Sequence, residues 1–159
     1  MIKYNLGCGD MILDGFVNVD LYNPKAQIKS DVKNLPFEDE SGDYIYASHI
    51  IEHFDFYEAF AVLKEWKRVL KTGGTLVLET PDLLNLCKRF IDADEETRIG
   101  LYPQFYAYPW IDGQQHKFLY TPKQLSWTLS KAGFIDIQQI PAVRYTNIAD
   151  ICLGMRAIK

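Results

Sequence analysis

The chain has 159 residues, 48% of them hydrophobic and 24% charged, which suits one domain over residues 1–159 built on a single core. Its formal net charge is −4 and lysine and arginine do not cluster, so a small-molecule substrate is expected and a long nucleic-acid partner, which needs several phosphate contacts, is not. With no signal peptide, no apolar run of about 18 residues, and Cys8, Cys87 and Cys152 at unrelated spacings as free thiols, the expectation is a cytoplasmic protein without a membrane partner.

A first strand is predicted from Ile2 to Leu6, running into Asn5-Leu6-Gly7-Cys8-Gly9, and a second from Phe16 to Asp20. Gly7 and Gly9 allow a sharp turn and close approach of a ligand to bare amides, while Asp20 can accept hydrogen bonds from both hydroxyls of a ribose. The pair suggests a nucleoside-bearing cofactor. It is not the dinucleotide fingerprint, because Ile12 occupies the third glycine position and Asp20 comes too early for the ribose acid of that motif. A third strand, Ile28 to Asp31, also ends on an acid, placed to accept from an adenine amino group, and Asn34-Leu35-Pro36-Phe37 follows as a rigid apolar turn.

The fourth strand, Tyr44 to Ala47, leads into Ser48 and His49-Ile50-Ile51-Glu52-His53. A helix capped by Asp55 carries Ala59, Val62, Leu63, Trp66, Val69 and Leu70 on one face, with Gly73 and Gly74 expected to stop it. A strand from Thr75 to Thr80 comes next. Thr80-Pro81 opens a second helix, with Asp82 either facing the substrate or stabilising the helix dipole. The aromatic run Leu101 to Trp110 reads as a lid or substrate wall, after which Gln115 and His116 can orient a hydroxyl or amine. Thr121-Pro122-Lys123-Gln124 is a capping box for a third helix ending at Gly133, and strands from Phe134 to Ile140 and Cys152 to Ile158 bring the total to seven.

In this order the motifs N-L-G-C-G, V-N-V-D, D-x-x-x-L-P-F and S-H-x-x-E-H resemble the small predicted class I S-adenosylmethionine-dependent methyltransferases. The resemblance runs from Lys3 to about Phe134 and includes Lys71-Thr72-Gly73-Gly74-Thr75-Leu76, similar to the family's K-P-G-G-x-L turn. It implies an α/β, Rossmann-like class I methyltransferase fold, with a mostly parallel seven-stranded sheet. The implied cofactor is S-adenosyl-L-methionine: its methionine end beside Asn5, Gly7, Cys8 and Gly9, its ribose on Asp20, its adenine near Leu21, Asp31 and Val32, and the pocket floor closed by Ser48 and His49. Many relatives carry a carboxylate where this chain has Asn5, so a neutral amide would replace a charge-assisted contact there. His116 and His49 are the candidate catalytic bases for a hydroxyl acceptor such as a saccharide. A non-catalytic, oligomeric S-adenosylmethionine-binding module is the alternative.

His49, Glu52 and His53 also match the H-x-x-E-H spacing of inverted zinc proteases, but the sequence offers no third ligand in a second metal motif, so no metal is expected. The connections between the first three strands are too short for helices. Nine residues can nonetheless span roughly 30 Å, ample to run back along a strand of about 17 Å and preserve parallel pairing. Helices are therefore expected to be reduced on one face. Lys3 and Asn5 alternate with Ile2, Tyr4 and Leu6, and a second copy of the chain is expected to cover part of that face as a homodimer.

Overall fold

The computed structural model describes residues 1–111 and 113–159. Seven strands, β1 (Lys3–Leu6), β2 (Val17–Asp20), β3 (Ile28–Lys29), β4 (Gly42–Ser48), β5 (Leu70–Pro81), β6 (Ile135–Ile140) and β7 (Cys152–Ile158), form one sheet in the order β3-β2-β1-β4-β5-β7-β6. β1 to β5 pair in parallel, and β7 is antiparallel to both its neighbours. The mostly parallel seven-stranded sheet expected from the sequence is therefore the observed one.

Register divides the sheet into two unlike faces. Tyr4, Leu6, Ile45, Ala47, Leu76, Leu78, Met155 and Ala157 share one face, and with α1 (Phe56–Val69) and α4 (Pro122–Lys131) they form the main core around Trp66, Leu63, Leu125 and Leu129. Both helices begin with the capping boxes legible in the sequence, Asp55 with Glu58 and Thr121 with Gln124. α1 ends at Val69 rather than at the glycines. Fully buried Leu70 turns extended and pairs with Gly42, while Gly73, at φ +80, and Gly74 exchange hydrogen bonds with Lys159.

Lys3, Asn5, Tyr44, Tyr46, Thr75, Val77 and Arg156 share the other face, where none of the first three crossovers supplies a helix. Asn5 is not wetted there. It is 1% exposed, and its Nδ2 donates to Met11 O (2.7 Å) and Asn18 Oδ1 (2.8 Å). Asn18 also accepts from Leu13 N and donates to Leu13 O and Phe16 O, so side-chain amides fold the first crossover against the sheet. The third crossover is pinned by α1: Trp66 Nε1 donates to Val32 O, and Arg68 donates to Phe37 O, Leu35 O and Asp39.

α2 (Leu83–Asp92) and α3 (Glu95–Tyr106) follow β5 and form a smaller cluster with Leu86, Leu101 and Ile151. α3 was not expected, since part of the predicted aromatic wall is helical despite Pro103. Asp82 is the N-cap of α2, 2% exposed and bonded to Leu84 N and Asn85 N, which settles its structural role. Among the described residues no helix is long and apolar enough to cross a membrane.

Candidate active site

The strand order reverses beside β1, whose neighbours β2 and β4 connect to opposite halves of the sheet, and the carboxyl ends of strands at such a point are where α/β sheets form ligand crevices. A cavity of about 810 Å³ opens there, and a second of about 160 Å³ adjoins it. Gly7, Asp20, Tyr22, Ile50, His53 and Gly113 border both, making one continuous crevice.

The glycine loop shapes this crevice by the space it leaves. Gly7 adopts φ +61, and a Cβ there would stand 2.7 Å from Ile50 Cγ1. The amides of Cys8 and Gly9 are not bare: Cys8 N donates to Val19 O and Gly9 N to Asp20 Oδ2 at 2.9 Å. Asp20 Oδ1 accepts from Tyr22 N and Asn23 N, both at 2.8 Å, and Asn23 Nδ2 donates back to Gly9 O. One carboxylate thus locks the loop and faces the crevice. With three N–H donors against about four lone-pair sites, it keeps capacity for a ligand hydroxyl.

The smaller cavity lies between Leu21, Asp31, Val32 and Phe54. Asp31 accepts from Lys33 N and has Lys33 Nζ at 3.6 Å. A flat ring fits this apolar slot with a carboxylate at its edge.

At the other end, four ionisable groups meet. His49 leaves β4 in a left-handed backbone conformation, φ +54, sparsely populated for a residue with a side chain. Its Nδ1 lies 3.2 Å from Glu52 Oε1, and its Nε2 3.7 Å from Cys152 Sγ. Glu52 is fully buried; Thr80 Oγ1 donates to its Oε2 at 3.0 Å, whereas Oε1 has no partner in hydrogen-bond alignment. Burial alone would raise its pKa, but His49 and the imidazoles of His53 and His116 outweigh that and hold it below the usual value. His116 Nε2 is 3.9 Å from Oε1, and burial pushes the His116 pKa down. The backbone enforces this meeting, since Lys117 N and Phe118 N both donate to Glu52 O.

Glu79, at the end of β5, is 1% exposed and fully engaged: its carboxylate accepts from Tyr46 OH, Ser48 Oγ, Val143 N and Arg144 N. These bonds draw residues 143 and 144 over the strand ends. There Arg144 donates to Ser48 O at 2.9 Å and lies over the Tyr145 ring, beside Gly9.

Of the site residues expected from sequence, Gly7, Gly9, Asp20, Leu21, Asp31, Val32, His49 and His116 border the crevice. Asn5, Cys8 and Ser48 do not; they stand behind its wall, Asn5 committed to Asn18 and Ser48 to Glu79. Burial pushes the Cys8 thiol up to about 11, so it is a packed side chain rather than a nucleophile. One Gln115 amide N–H donates to Pro109 O. Sequence reasoning missed Tyr22, Asn23, Ile50, Arg144 and Tyr145 as crevice residues. Only Tyr22 and Asn23, directly after the Asp20 acid, carried a usable signal.

A methyltransferase domain family matches residues 16–78. The demethylmenaquinone methyltransferase of Staphylococcus epidermidis is 34% identical over 118 residues, covering 69% of this chain and 47% of that protein, so the chain spans about half the length of the curated relatives it matches. A SAM-dependent methyltransferase from Archaeoglobus fulgidus superposes with TM-score 0.64 at 18% identity, covering 99% of this chain and 85% of that one. The 1,6-didemethyltoxoflavin-N1-methyltransferase of Burkholderia thailandensis, solved with 1,6-didemethyltoxoflavin and S-adenosylhomocysteine, gives TM-score 0.67 at 15% identity, covering 99% and 70%.

Proposed function

We propose, given that the chain belongs to the class I S-adenosylmethionine-dependent methyltransferases, that residues 1–159 form one catalytic domain methylating a small hydroxyl-bearing acceptor, such as a saccharide. The observation that carries this reading is the convergence of Gly7, Asp20, Asp31, His49 and His116 on one continuous crevice at the strand ends.

The residues fit the cofactor. Asp20 keeps lone-pair capacity for the ribose hydroxyls, Leu21 and Val32 flank the adenine slot with Asp31 at its edge, and the Arg144 guanidinium beside Gly9 suits the methionine carboxylate. When bound, S-adenosylmethionine supplies the methyl group: an acceptor oxygen lone pair bonds to the methyl carbon as the carbon–sulfur bond breaks and its electron pair stays on sulfur. The chain's task is chiefly to hold the acceptor in line. His49, steadied by Glu52, takes the hydroxyl proton, and Tyr22, Tyr108 and Tyr145 give the larger cavity the aromatic walls that suit a saccharide ring.

Three free thiols favour the cytoplasm. The face carrying Lys3, Phe16, Tyr44, Thr75 and Arg156 lacks the helices that normally cover a parallel sheet, which favours a homodimer, and a monomeric mass by sedimentation at micromolar concentration would remove that element.

Calorimetric titration with S-adenosylhomocysteine, followed by a labelled-methyl screen over hydroxylated acceptors, tests the function. Asp20→Asn should weaken cofactor binding by about tenfold or more, through the loss of a charge-assisted ligand bond together with an acceptor of the loop amides. Absence of binding to the unaltered chain would refute the function outright; binding without transfer to any acceptor would favour a non-catalytic module.

A further inference from the structure

We propose that Glu52, His53 and His116 form a divalent-cation site at the acceptor end of the crevice, taking zinc, cobalt, manganese or a similar ion. One donor atom from each of the three lies within 4.8 Å of the others. The H-x-x-E-H spacing does not produce the zinc-protease geometry. His49 leaves β4 with φ +54, before the short 3-10 turn Ile51–His53, so no continuous helix aligns His49 with His53. The fold instead supplies the third ligand that the sequence lacked, because the two bonds from Lys117 N and Phe118 N to Glu52 O bring His116 alongside.

Two independent observations point to a ligand. Each imidazole is oriented through its Nδ1 by a backbone carbonyl, His53 by Gln115 O at 3.1 Å and His116 by Gln104 O at 3.0 Å. A carbonyl only accepts, so Nδ1 carries the hydrogen and the Nε2 lone pair is left free, the outer-shell arrangement characteristic of metal-binding histidines. The second is Glu52 Oε1, fully buried and with no aligned hydrogen bond, its near neighbour being His49 Nδ1 at 3.2 Å, although Oε2 is satisfied by Thr80. An orphaned buried carboxylate oxygen is costly, and a cation would satisfy it.

Two imidazoles and one carboxylate suit first-row transition ions better than magnesium or calcium, which prefer all-oxygen sets. Ligand bonds of about 2.1 Å require the three side chains to close inward by about 1 Å, a rotamer-scale adjustment. Because His53 and His116 border the larger cavity, a three-ligand site leaves a position open toward it for an acceptor hydroxyl or carbonyl oxygen. That last role rests on the proposed methyltransferase function; the cation site does not. His116 is then a ligand, and His49 alone remains as base.

The test is a cobalt(II) titration of chelator-treated chain, read by visible ligand-field absorption, with calorimetry of S-adenosylhomocysteine in parallel. Saturation at one equivalent is expected, with affinity lowered by about tenfold or more in both His53→Ala and His116→Ala. No saturable binding, or binding unchanged in both variants, overturns the site and leaves His49 as the only partner of Glu52 Oε1. Should a variant fail to fold, paramagnetic broadening in the unaltered chain decides: His53 and His116 resonances are expected to vanish first, and broadening confined elsewhere overturns the proposal. Cobalt binding without nucleoside binding upholds the site and refutes the function; the reverse refutes the site alone.

Discussion

Placing one methyl group on Gly7 probes how the crevice is shaped. Gly7 has φ +61, and the added Cβ would meet Ile50 Cγ1 at 2.7 Å and Cδ1 at 2.9 Å. A left-handed backbone costs a residue with a side chain about 1–2 kcal/mol, and forcing extra atoms into packed surroundings adds about 1–3 kcal/mol, so Gly7→Ala should lose about 2–5 kcal/mol. Gly15 is the internal control. It has φ +75 with nothing within 4 Å of its would-be Cβ, so Gly15→Ala bears only the backbone cost, about 1–2 kcal/mol. Urea unfolding separates the two: with a slope of about 1–3 kcal/mol per molar, the extra steric penalty moves the midpoint by roughly 1 M. Ile50→Ala in the Gly7→Ala background should relieve the clash and give a favourable coupling of about 1–3 kcal/mol in a double-mutant cycle. Since Ile50 borders both cavities, whatever Gly7→Ala protein folds should bind S-adenosylhomocysteine more weakly. Equal destabilisation of the two alanine variants, or no coupling to Ile50, would refute the reasoning.

Arg144→Ala should reduce S-adenosylhomocysteine affinity by about 10- to 100-fold in calorimetry while barely moving the melting temperature; unchanged affinity would remove Arg144 from the site. The Arg68 guanidinium beside Glu65 holds that carboxyl below the usual glutamate value. Its folded pKa is depressed, so its stabilisation is complete above the unfolded value, about 4.3, and is lost as pH falls through the folded value. The stability gap between the unaltered chain and Glu65→Gln in urea should therefore be widest near neutrality and close below about pH 4, and a gap independent of pH would contradict the pairing. Burial pushes the Cys8 thiol to about 11 and the Cys152 thiol to about 12; Cys8 is buried, and Cys87 and Cys152 are both half-buried. With a disulfide reagent at pH 8, Cys8 should react only on unfolding; its rapid reaction would show the glycine loop opening.

What the sequence made legible is what is local. The capping boxes of α1 and α4 lie within four residues, and the acid of Asp20 closes its own strand. α3 escaped because its apolar residues form no single stripe: Leu101 is buried, but Ile99, Tyr102 and Tyr106 are exposed, and Pro103 interrupts the pattern. Arg144 escaped because its place depends on bonds to Glu79 and Ser48, 65 and 96 residues away in sequence. Asn5 misled for the same reason. Its alternation points to a face left for a second copy to cover, and the partners Asn18 on β2 and Met11 O in the first crossover turn that polarity inward.

A sheet that gives up its crossover helices must hold its loops by other means, and here side-chain-to-backbone bonds do so. Asn18 fixes the first crossover, Gln27 ties the second to β2, Asp20 holds the glycine loop, and Trp66 and Arg68 the third crossover. Among these, Asp20 both borders the crevice and keeps its wall in place. Asp20 shows the consequence most plainly, since removing its carboxylate would strand three backbone N–H groups, at about 1–3 kcal/mol for each that stays buried, as well as a ligand contact. A fall in cofactor binding by Asp20→Ala cannot then be assigned to the ligand alone. Arg144 is different: its main-chain N–H, not its guanidinium, joins the Glu79 network, so truncating its side chain leaves that network standing. In a fold trimmed this far, binding is best separated from stability at such side chains, which reach into the crevice from a backbone anchored elsewhere.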